Sequence, residues 1–484
     1  VVPDRRRDPA RVALAGAFAA LAIASTGGAA RGEETGADLA APAAIAGARA
    51  AGAAPAEEGA GAPARAEPRA VGGGPADGAE RSFTWDLSWA GWKGLQYELI
   101  ERVKLDGIPG APLRGFVDRR VGLKGRIGGK LAIDGAAFFT TGSLDDIDDG
   151  VEVRRARLYT VGEIYLVIPV LYKIEISFVG DVGVVVEENY LGVRNVPVVQ
   201  SIFAGNLQTP FALESVTSGR DLTFMEIAAP TQAFAPGVKP GVLFGGPVLD
   251  GRMTWGFGWF SGSGSAELGS FSAQATSAGR VTGLPVDREG EGTRDLVHLG
   301  LNASVALGAA HPIRYQARPE SHLAPYIADT RDIAADNAYL AGVEAAVVRG
   351  PFSLQGEFFH ATVNPRRGGM LNFGGFYLYG SWFLTGESRP YDRSAGVFSR
   401  LQPLRDLSLR GGAPGAIELG VRYSHVDLTD GAVRGGIMDL VTLGLNWYWN
   451  PYLRMRFNYI VGNVRSGSQN GNLNILQTRL ELDF

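Results

Sequence analysis

The stretch Leu476-Gln477-Thr478-Arg479-Leu480-Glu481-Leu482-Asp483-Phe484 alternates without a break. Successive side chains of a strand point to opposite sides, so Leu476, Thr478, Leu480, Leu482 and Phe484 share one face. Gln477, Arg479, Glu481 and Asp483 share the other. The same pattern recurs upstream, from about Phe83 onward. In 441–449, Val441, Leu443, Leu445, Trp447 and Trp449 oppose Thr442, Gly444, Asn446 and Tyr448. In 297–305, five apolar residues beginning at Val297 oppose His298, Gly300, Asn302 and Ser304. In 252–260, Met253, Trp255, Phe257 and Trp259 oppose Thr254, Gly256 and Gly258. In 171–178, Tyr172, Ile174, Ile176 and Phe178 oppose Lys173, Glu175 and Ser177.

A soluble sandwich would alternate in the same way. Two features favour a barrel in a membrane. Trp85, Trp89 and Trp92 cluster near the start of the pattern, and Trp447, Tyr448, Trp449 and Tyr452 flank Asn450-Pro451, as aromatic girdles at two interfaces would. Glycine and small polar residues dominate the non-apolar faces, as a lining that leaves room for water would. Strands of ~9–11 residues with their connections fit about 16 times into the patterned region, with 14 or 18 also compatible. The fold class expected is all-β: a transmembrane antiparallel β-barrel of about 16 strands occupying 81–484. A final strand ending on Phe484 resembles the assembly signal of bacterial outer-membrane barrels, which implies the barrel-assembly machinery and outer-membrane lipid as partners. Asn450-Pro451 reads as a short periplasmic turn and Pro169 as a break between two strands. The polar stretches 261–294, 312–337 and 386–415 read as external loops.

One segment breaks the pattern. Residues 201–241, SIFAGNLQTPFALESVTSGRDLTFMEIAAPTQAFAPGVKPG, lose the alternation and carry Pro210, Pro230, Pro236 and Pro240, which oppose strand and helix alike. Long ordered loops are usually functional, and this one is expected to fold into the barrel and narrow it. Asn206-Leu207-Gln208-Thr209-Pro210-Phe211, Leu213 to Ser218, Asp221 to Glu226 and Phe234-Ala235-Pro236-Gly237 resemble, in order, the constriction segment of the phosphate-selective (O/P) porins of the bacterial outer membrane. The resemblance implies a passive channel preferring small anions, phosphate first, assembled as a homotrimer.

The basic run Val151-Glu152-Val153-Arg154-Arg155-Ala156-Arg157 supplies the best anion donors. Simple alternation puts Arg155, Arg157 and Tyr159 on one face and leaves Arg154 on the lipid side, where a charge at mid-membrane costs ~2–4 kcal/mol. Arg154 therefore either lies near an interface or is turned by a bulge. The resemblance implies that Arg154 and Arg155 line the pore; the alternative is a ladder of arginines paired with carboxylates. In the constriction segment, Arg220 can bind two oxygens of an oxyanion, and hydroxyls can replace its water. The resemblance makes Ser218 and Thr217 anion contacts. It also places Glu188 where the family carries an acidic residue; Glu188 either accepts a proton-bearing phosphate oxygen or pairs with an arginine. Ser215, Gly219 and Ile227 depart from the family pattern; Gly219 stands for a serine, and Ser215 and Ile227 remove positive charge from the expected site. Lys93, Lys104, Lys124 and Lys130 are the candidates for its opposing lysines, and Arg422, Arg454, Arg456 and Arg479 form either a guiding ladder or a salt-bridged lining with Glu418, Glu481 and Asp483.

The remaining composition excludes more than it selects. There are no cysteines, so thiolate metal sites, disulfides and thiol catalysis are ruled out, and a net charge of -4 argues against nucleic acid. The five histidines lack metal spacing, and Asp145-Asp146-Ile147-Asp148-Asp149 lacks the ligand pattern of a calcium loop. No cofactor, metal or catalytic residue is expected. His360 and His425 read as strand-end residues without a catalytic partner, so an outer-membrane enzyme is disfavoured. A weakly selective general porin for small hydrophilic solutes and a non-transport surface barrel fit the same alternation. Arg5, Arg6, Arg7 and Arg11 followed by an apolar run from Val12 to Ala24 and Gly28-Ala29-Ala30 read as a signal peptide over 1–30. Residues 31–80, rich in Ala, Gly, Pro and Glu, read as a disordered periplasmic tether.

Overall fold

The computed structural model describes residues 81–89, 95–104, 116–119, 122–165, 168–179, 183–261, 275–290, 292–308, 312–467 and 469–484. The signal-peptide and tether expectations for 1–80 lie outside them. Sixteen strands form one closed ring: β1 Leu123–Thr140, β2 Gly150–Tyr165, β3 Pro169–Ser177, β4 Val185–Val196, β5 Gln200–Gln208, β6 Val238–Val248, β7 Met253–Ser261 and β8 Ala275–Gly290 make its first half. The second half is β9 Thr293–Leu307, β10 Ala335–Arg349, β11 Phe352–Pro365, β12 Leu371–Phe383, β13 Ala416–Asp430, β14 Val433–Tyr448, β15 Leu453–Ser466 and β16 Gln469–Asp483. Each strand pairs antiparallel with its neighbours, and β16 closes on β1 from Leu473↔Thr140 to Asp483↔Lys130.

The ring begins at Leu123, later than the Phe83 expected. Below Lys130, β1 extends past the end of β16 and takes a different partner, the strand Leu95–Lys104, with Leu95 opposite Ile127. That strand in turn pairs with Arg81–Trp89.

The alternation reads through to the exterior. Leu299, Leu301, Val343, Leu443 and Val461 are all exposed, while their inward neighbours His298, Asn302, Glu344 and Thr442 are buried. So continuous an apolar outer wall suits hydrocarbon rather than water. An even strand count puts the start of β1 and the end of β16 at one end. Most connections there span only a few residues, including Asn450-Pro451 between β14 and β15 and the break before Pro169, as periplasmic turns do.

Three loop expectations are corrected. Residues 275–290, inside the stretch expected as loop 261–294, are β8; on its outward face Val281 stands between the small residues Ser277, Gly279 and Gly283, so no continuous apolar stripe marked it. Residues 312–334 turn inward rather than outward, burying Tyr315, Ala317, Glu320 and Ala328. Residues 384–415 connect β12 to β13 at the end with the short turns, and they also enter the barrel, burying Arg389, Tyr391, Val397 and Phe398. Pro240 is a correction of another kind: it lies within β6, opposite Asn206. The ladder from β6 to β7 starts one residue later, at Gly241↔Phe260, so a missing N–H at 240 can be tolerated there.

The interior is not the open, water-lined space expected. An apolar cluster joins Phe211 and Phe234 of the constriction segment to Tyr315 of the second inward segment and to Phe359, Phe373, Val426, Ile460 and Ile475 of the wall. The physical reason is that the inward faces of β10 to β16 become apolar toward their outer ends, as at Val363, Met438, Leu440 and Leu473. The two inward segments cover them. A cavity of about 640 Å³ remains at the outer mouth, bordered by Leu144, Asp145, Tyr326, Asp329, Arg331 and Arg434.

Candidate functional site

The constriction segment leaves the wall at Thr209 and returns at Gly237. It contains two short helices, α1 Leu213–Val216 and α2 Ala229–Phe234. The free N–H groups at the start of α1 have a partner in the wall: Leu213 N and Glu214 N donate to the Glu357 carboxylate at 2.7 and 2.8 Å. Glu214 in turn accepts from Ala228 N at 2.9 Å and Thr231 Oγ1 at 2.8 Å, tying α1 to the start of α2.

Three fully buried wall arginines hold the segment by its backbone. Arg456 donates to the carbonyls of Leu222 at 2.6 Å and Phe224 at 3.1 Å. Arg479 grips Asp134 with two nitrogens, at 2.7 and 2.6 Å, and gives a third to Met225 O at 2.6 Å. Arg422 stands between Glu214 at 3.1 Å and Glu320 at 2.6 Å, donates to Glu226 O at 3.0 Å, and lies 4.4 Å over the Phe224 ring. A planar fork of five donors can serve several acceptors at once, and the carbonyls of 222, 224, 225 and 226 supply them. Glu418 completes the set by accepting from Thr223 Oγ1 at 3.1 Å.

A β-bulge decides the placement of the basic run. Opposite β1, Ala132 faces Arg155 and Ile133 faces Val153, so Arg154 is the extra residue. A bulge turns the strand locally, and Arg154, Arg155 and Arg157 are all buried inside the barrel. Arg154 bonds both oxygens of Glu226, at 3.0 and 3.2 Å. Arg155 lies against Gly219 and 3.8 Å from Glu481. Arg157 pairs with Glu175 at 3.2 Å and Glu187 at 2.9 Å.

The remaining nominated residues are similarly engaged. Glu188 pairs with Lys173 rather than with an arginine. The Thr217 hydroxyl donates to Leu213 O at 2.7 Å, and Ser218 is buried at the start of the turn Gly219–Asp221. Arg220 reaches Asp483 at 3.2 Å and Asp221 at 3.4 Å. Burial works against its charge, but Asp483 and Asp221 outweigh it, and its pKa lies well above the usual value. Of the candidate lysines, Lys130 faces inward and pairs with Glu175 at 3.2 Å, while Lys124 is exposed. Lys93 and the Lys104 side chain lie outside the described parts. His425 is paired with Asp439 at 2.8 Å on the outer face of β13, and Asp145 to Asp149 form an exposed loop. Among the described residues no group of acidic residues and histidines could hold a metal ion.

Burial likewise opposes ionisation of Glu226, yet the guanidiniums of Arg154 and Arg479 hold it well below the usual carboxylate range. Glu214 goes the other way. Burial raises it, and sharing Arg422 with Glu320 leaves that shift uncancelled. Sequence reasoning missed Glu214, Glu226, Glu320 and Glu357 as anchors. A lone glutamate, whether in a loop or, like Glu357, on the inward face of a strand, carries no local signature; only the three-dimensional meeting with Arg422, Arg154 and α1 reveals its part.

A protein of Caulobacter vibrioides described as uncharacterised is 29% identical over 398 residues, covering 78% of this chain and 76% of the relative. Among solved structures, an anion-selective porin from Comamonas acidovorans is similar with a TM-score of 0.47 at 13% identity, covering 75% of this chain and all of that one. A loop L8 deletion mutant of OmpT, an outer membrane protein of Vibrio cholerae, gives 0.47 at 13% identity, over 74% of this chain and 99% of that one. The family model described as phosphate-selective porin O and P matches residues 126–484, well over half of the chain and all sixteen ring strands apart from the first residues of β1. With its closed barrel and the inward segment between β5 and β6, the chain belongs to the phosphate-selective porin O and P family, channels of the Gram-negative outer membrane.

Proposed function

We propose that this outer-membrane channel is a passive pore preferring small anions, phosphate first. The observation that carries the reading is the bulge at Arg154. It gathers Arg154, Arg155 and Arg157 on the inner face beside Arg220, Arg454, Arg456 and Arg479. The summed field of such a cluster draws anions and repels cations.

Each of these guanidiniums already has a carboxylate or carbonyl partner, so an anion binds by exchange. Arg155, 3.8 Å from Glu481, and Arg220, 3.2 Å from Asp483, meet at the turn Gly219–Asp221 and are the groups assigned to capture. Exchange keeps binding weak, which release requires. Three copies are proposed to assemble through their apolar outer walls, with lipid around the trimer and Phe484 read by the assembly machinery.

The test is titration of a chloride current through the purified protein in a planar bilayer with inorganic phosphate. Partial block that weakens in Arg155→Ala supports the reading. Unchanged current at every phosphate concentration favours a pore without phosphate preference.

A further inference from the structure

The arginine side of the constriction segment holds small cavities of about 30 and 20 Å³ beside Arg220 and Arg454. Its opposite side holds a larger one. Between the segment and the wall β5 to β8 lies a cavity of about 60 Å³, room for about four waters at the ~10–15 Å³ each requires. Its side-chain walls are largely apolar. Pro210 and Val216 come from the constriction segment, Phe203 and Leu243 from β5 and β6, and Val397 from the inward segment 384–415. Phe203 and Leu243 are themselves part of a buried cluster with Tyr190 and Phe260.

The hydroxyls of Ser201, Thr254 and Ser394 at its border are already bonded, to Gly245 O, Thr282 Oγ1 and Asp392 Oδ1, which leaves Arg280 and Gln208 as its polar groups. Arg280 of β8 borders the cavity and is buried. Its Nε donates to both oxygens of Glu344, at 2.9 and 3.2 Å, and its Nη2 lies 2.7 Å from Glu344 Oε1 and donates to Gly396 O at 2.8 Å; Nη1 takes no part in these bonds. Glu344 also receives His298 Nε2 at 3.0 Å and Asn302 Nδ2 at 3.2 Å, so much of its charge is answered without Arg280. Gln208, at the foot of the constriction segment, is also buried at the cavity edge; its Nε2 bonds Ser215 Oγ at 3.0 Å, and its Oε1 has no partner among the described residues.

We propose that this cavity binds a small organic monoanion with an apolar body, a short-chain carboxylate of about butyrate size. The carboxylate meets the Nη1 edge of the Arg280 guanidinium, and the alkyl chain lies against Val216, Leu243 and Phe203. An inorganic oxyanion is a poor fit. It would leave most of its oxygens facing carbon, and an unpaired polar group in such a place costs free energy. The site is separate from Arg155 and Arg220, and it adds a substrate class beyond inorganic anions. Pockets of this make-up, apolar with a few fixed polar groups, are typical of small-molecule sites.

The test is calorimetric titration of the whole, detergent-solubilised protein with sodium butyrate, with sodium phosphate as comparison. Butyrate is expected to bind at one saturable site, and phosphate is not expected to compete with it. Val216→Phe and Leu243→Phe, which fill the space from opposite walls, should each weaken butyrate by about tenfold or more, and Arg280→Lys should weaken it less. Absence of saturable butyrate heat in the folded wild type overturns the proposal. So does unchanged affinity in both filling variants with the barrel intact by heat-modified gel migration. Because binding is read without conduction, a cation-preferring current would sink the anion-pore reading and leave this result standing.

Discussion

Arg154 on β2 holds Glu226 of the constriction segment with two parallel contacts, Nε to Oε1 at 3.0 Å and Nη2 to Oε2 at 3.2 Å. Seventy-two residues separate them, and only the bulge lets the guanidinium reach inward at that height. Breaking a buried pair from one side strands the other charge and typically costs ~3–5 kcal/mol. Arg479 also contacts Glu226, so Arg154→Ala is expected near the lower end. The check is the midpoint of thermal unfolding by circular dichroism, together with single-channel noise. A lower midpoint and a noisier open level are expected; an unchanged midpoint would mean that the pair anchors nothing.

Arg456 is a second anchor, acting through carbonyls rather than a carboxylate. Lysine carries three donors at one point and cannot span Leu222 O and Phe224 O as the fork does. Arg456→Lys should therefore cost about 1–3 kcal/mol and expose 219–226 to limited proteolysis in detergent. Protection equal to wild type would contradict that.

Gly219 stands where the family pattern carries serine. A Cβ there would come 2.7 Å from Arg155 Nη2. The clashing atom is the far end of a flexible side chain, so Gly219→Ala should fold normally and displace Arg155. The expected outcome is a reversal potential shifted toward cations with unchanged thermal stability. Loss of folding would show that Arg155 cannot move.

Acidification separates Glu214 from Glu226. A carboxylate with a depressed pKa stabilises the fold above its unfolded value of ~4.3 and loses that contribution as pH falls through its lower folded value. Glu226 is of this kind. A raised carboxylate does the reverse: its contribution is present at acid pH and is lost as pH rises through the folded value, and Glu214 is of that kind. The thermal midpoint should hold or rise from pH 7 to 5 and fall only below about pH 4. A steady decline from pH 7 to 5 would contradict both assignments.

The outer wall was legible because each side chain reports its own face. Val441, Leu443 and Leu445 need only their neighbours to be placed, and the same counting reached sixteen strands. The constriction segment was legible as a break in that rhythm. The lumen was not legible, since its content depends on which segments turn inward. Residues 312–334 and 384–415 look like polar loops by composition. Tyr315, Glu320 and Arg389 are buried only because Phe373, Ser424 and Gln355 of the wall meet them, and Phe398 because Tyr391 of its own segment folds against it. Arg154 marks the boundary between the two cases. Alternation alone faced it toward lipid, energetics required an exception, and the register with β1 supplied it.

The central claim is that the arginines gathered by the bulge set the sign of the pore. The most direct measurement is the zero-current potential of the wild-type protein in a bilayer separating dilute from concentrated potassium chloride. The expected potential lies on the chloride side and moves toward potassium in Arg155→Ala. A wild-type potential on the potassium side would contradict it.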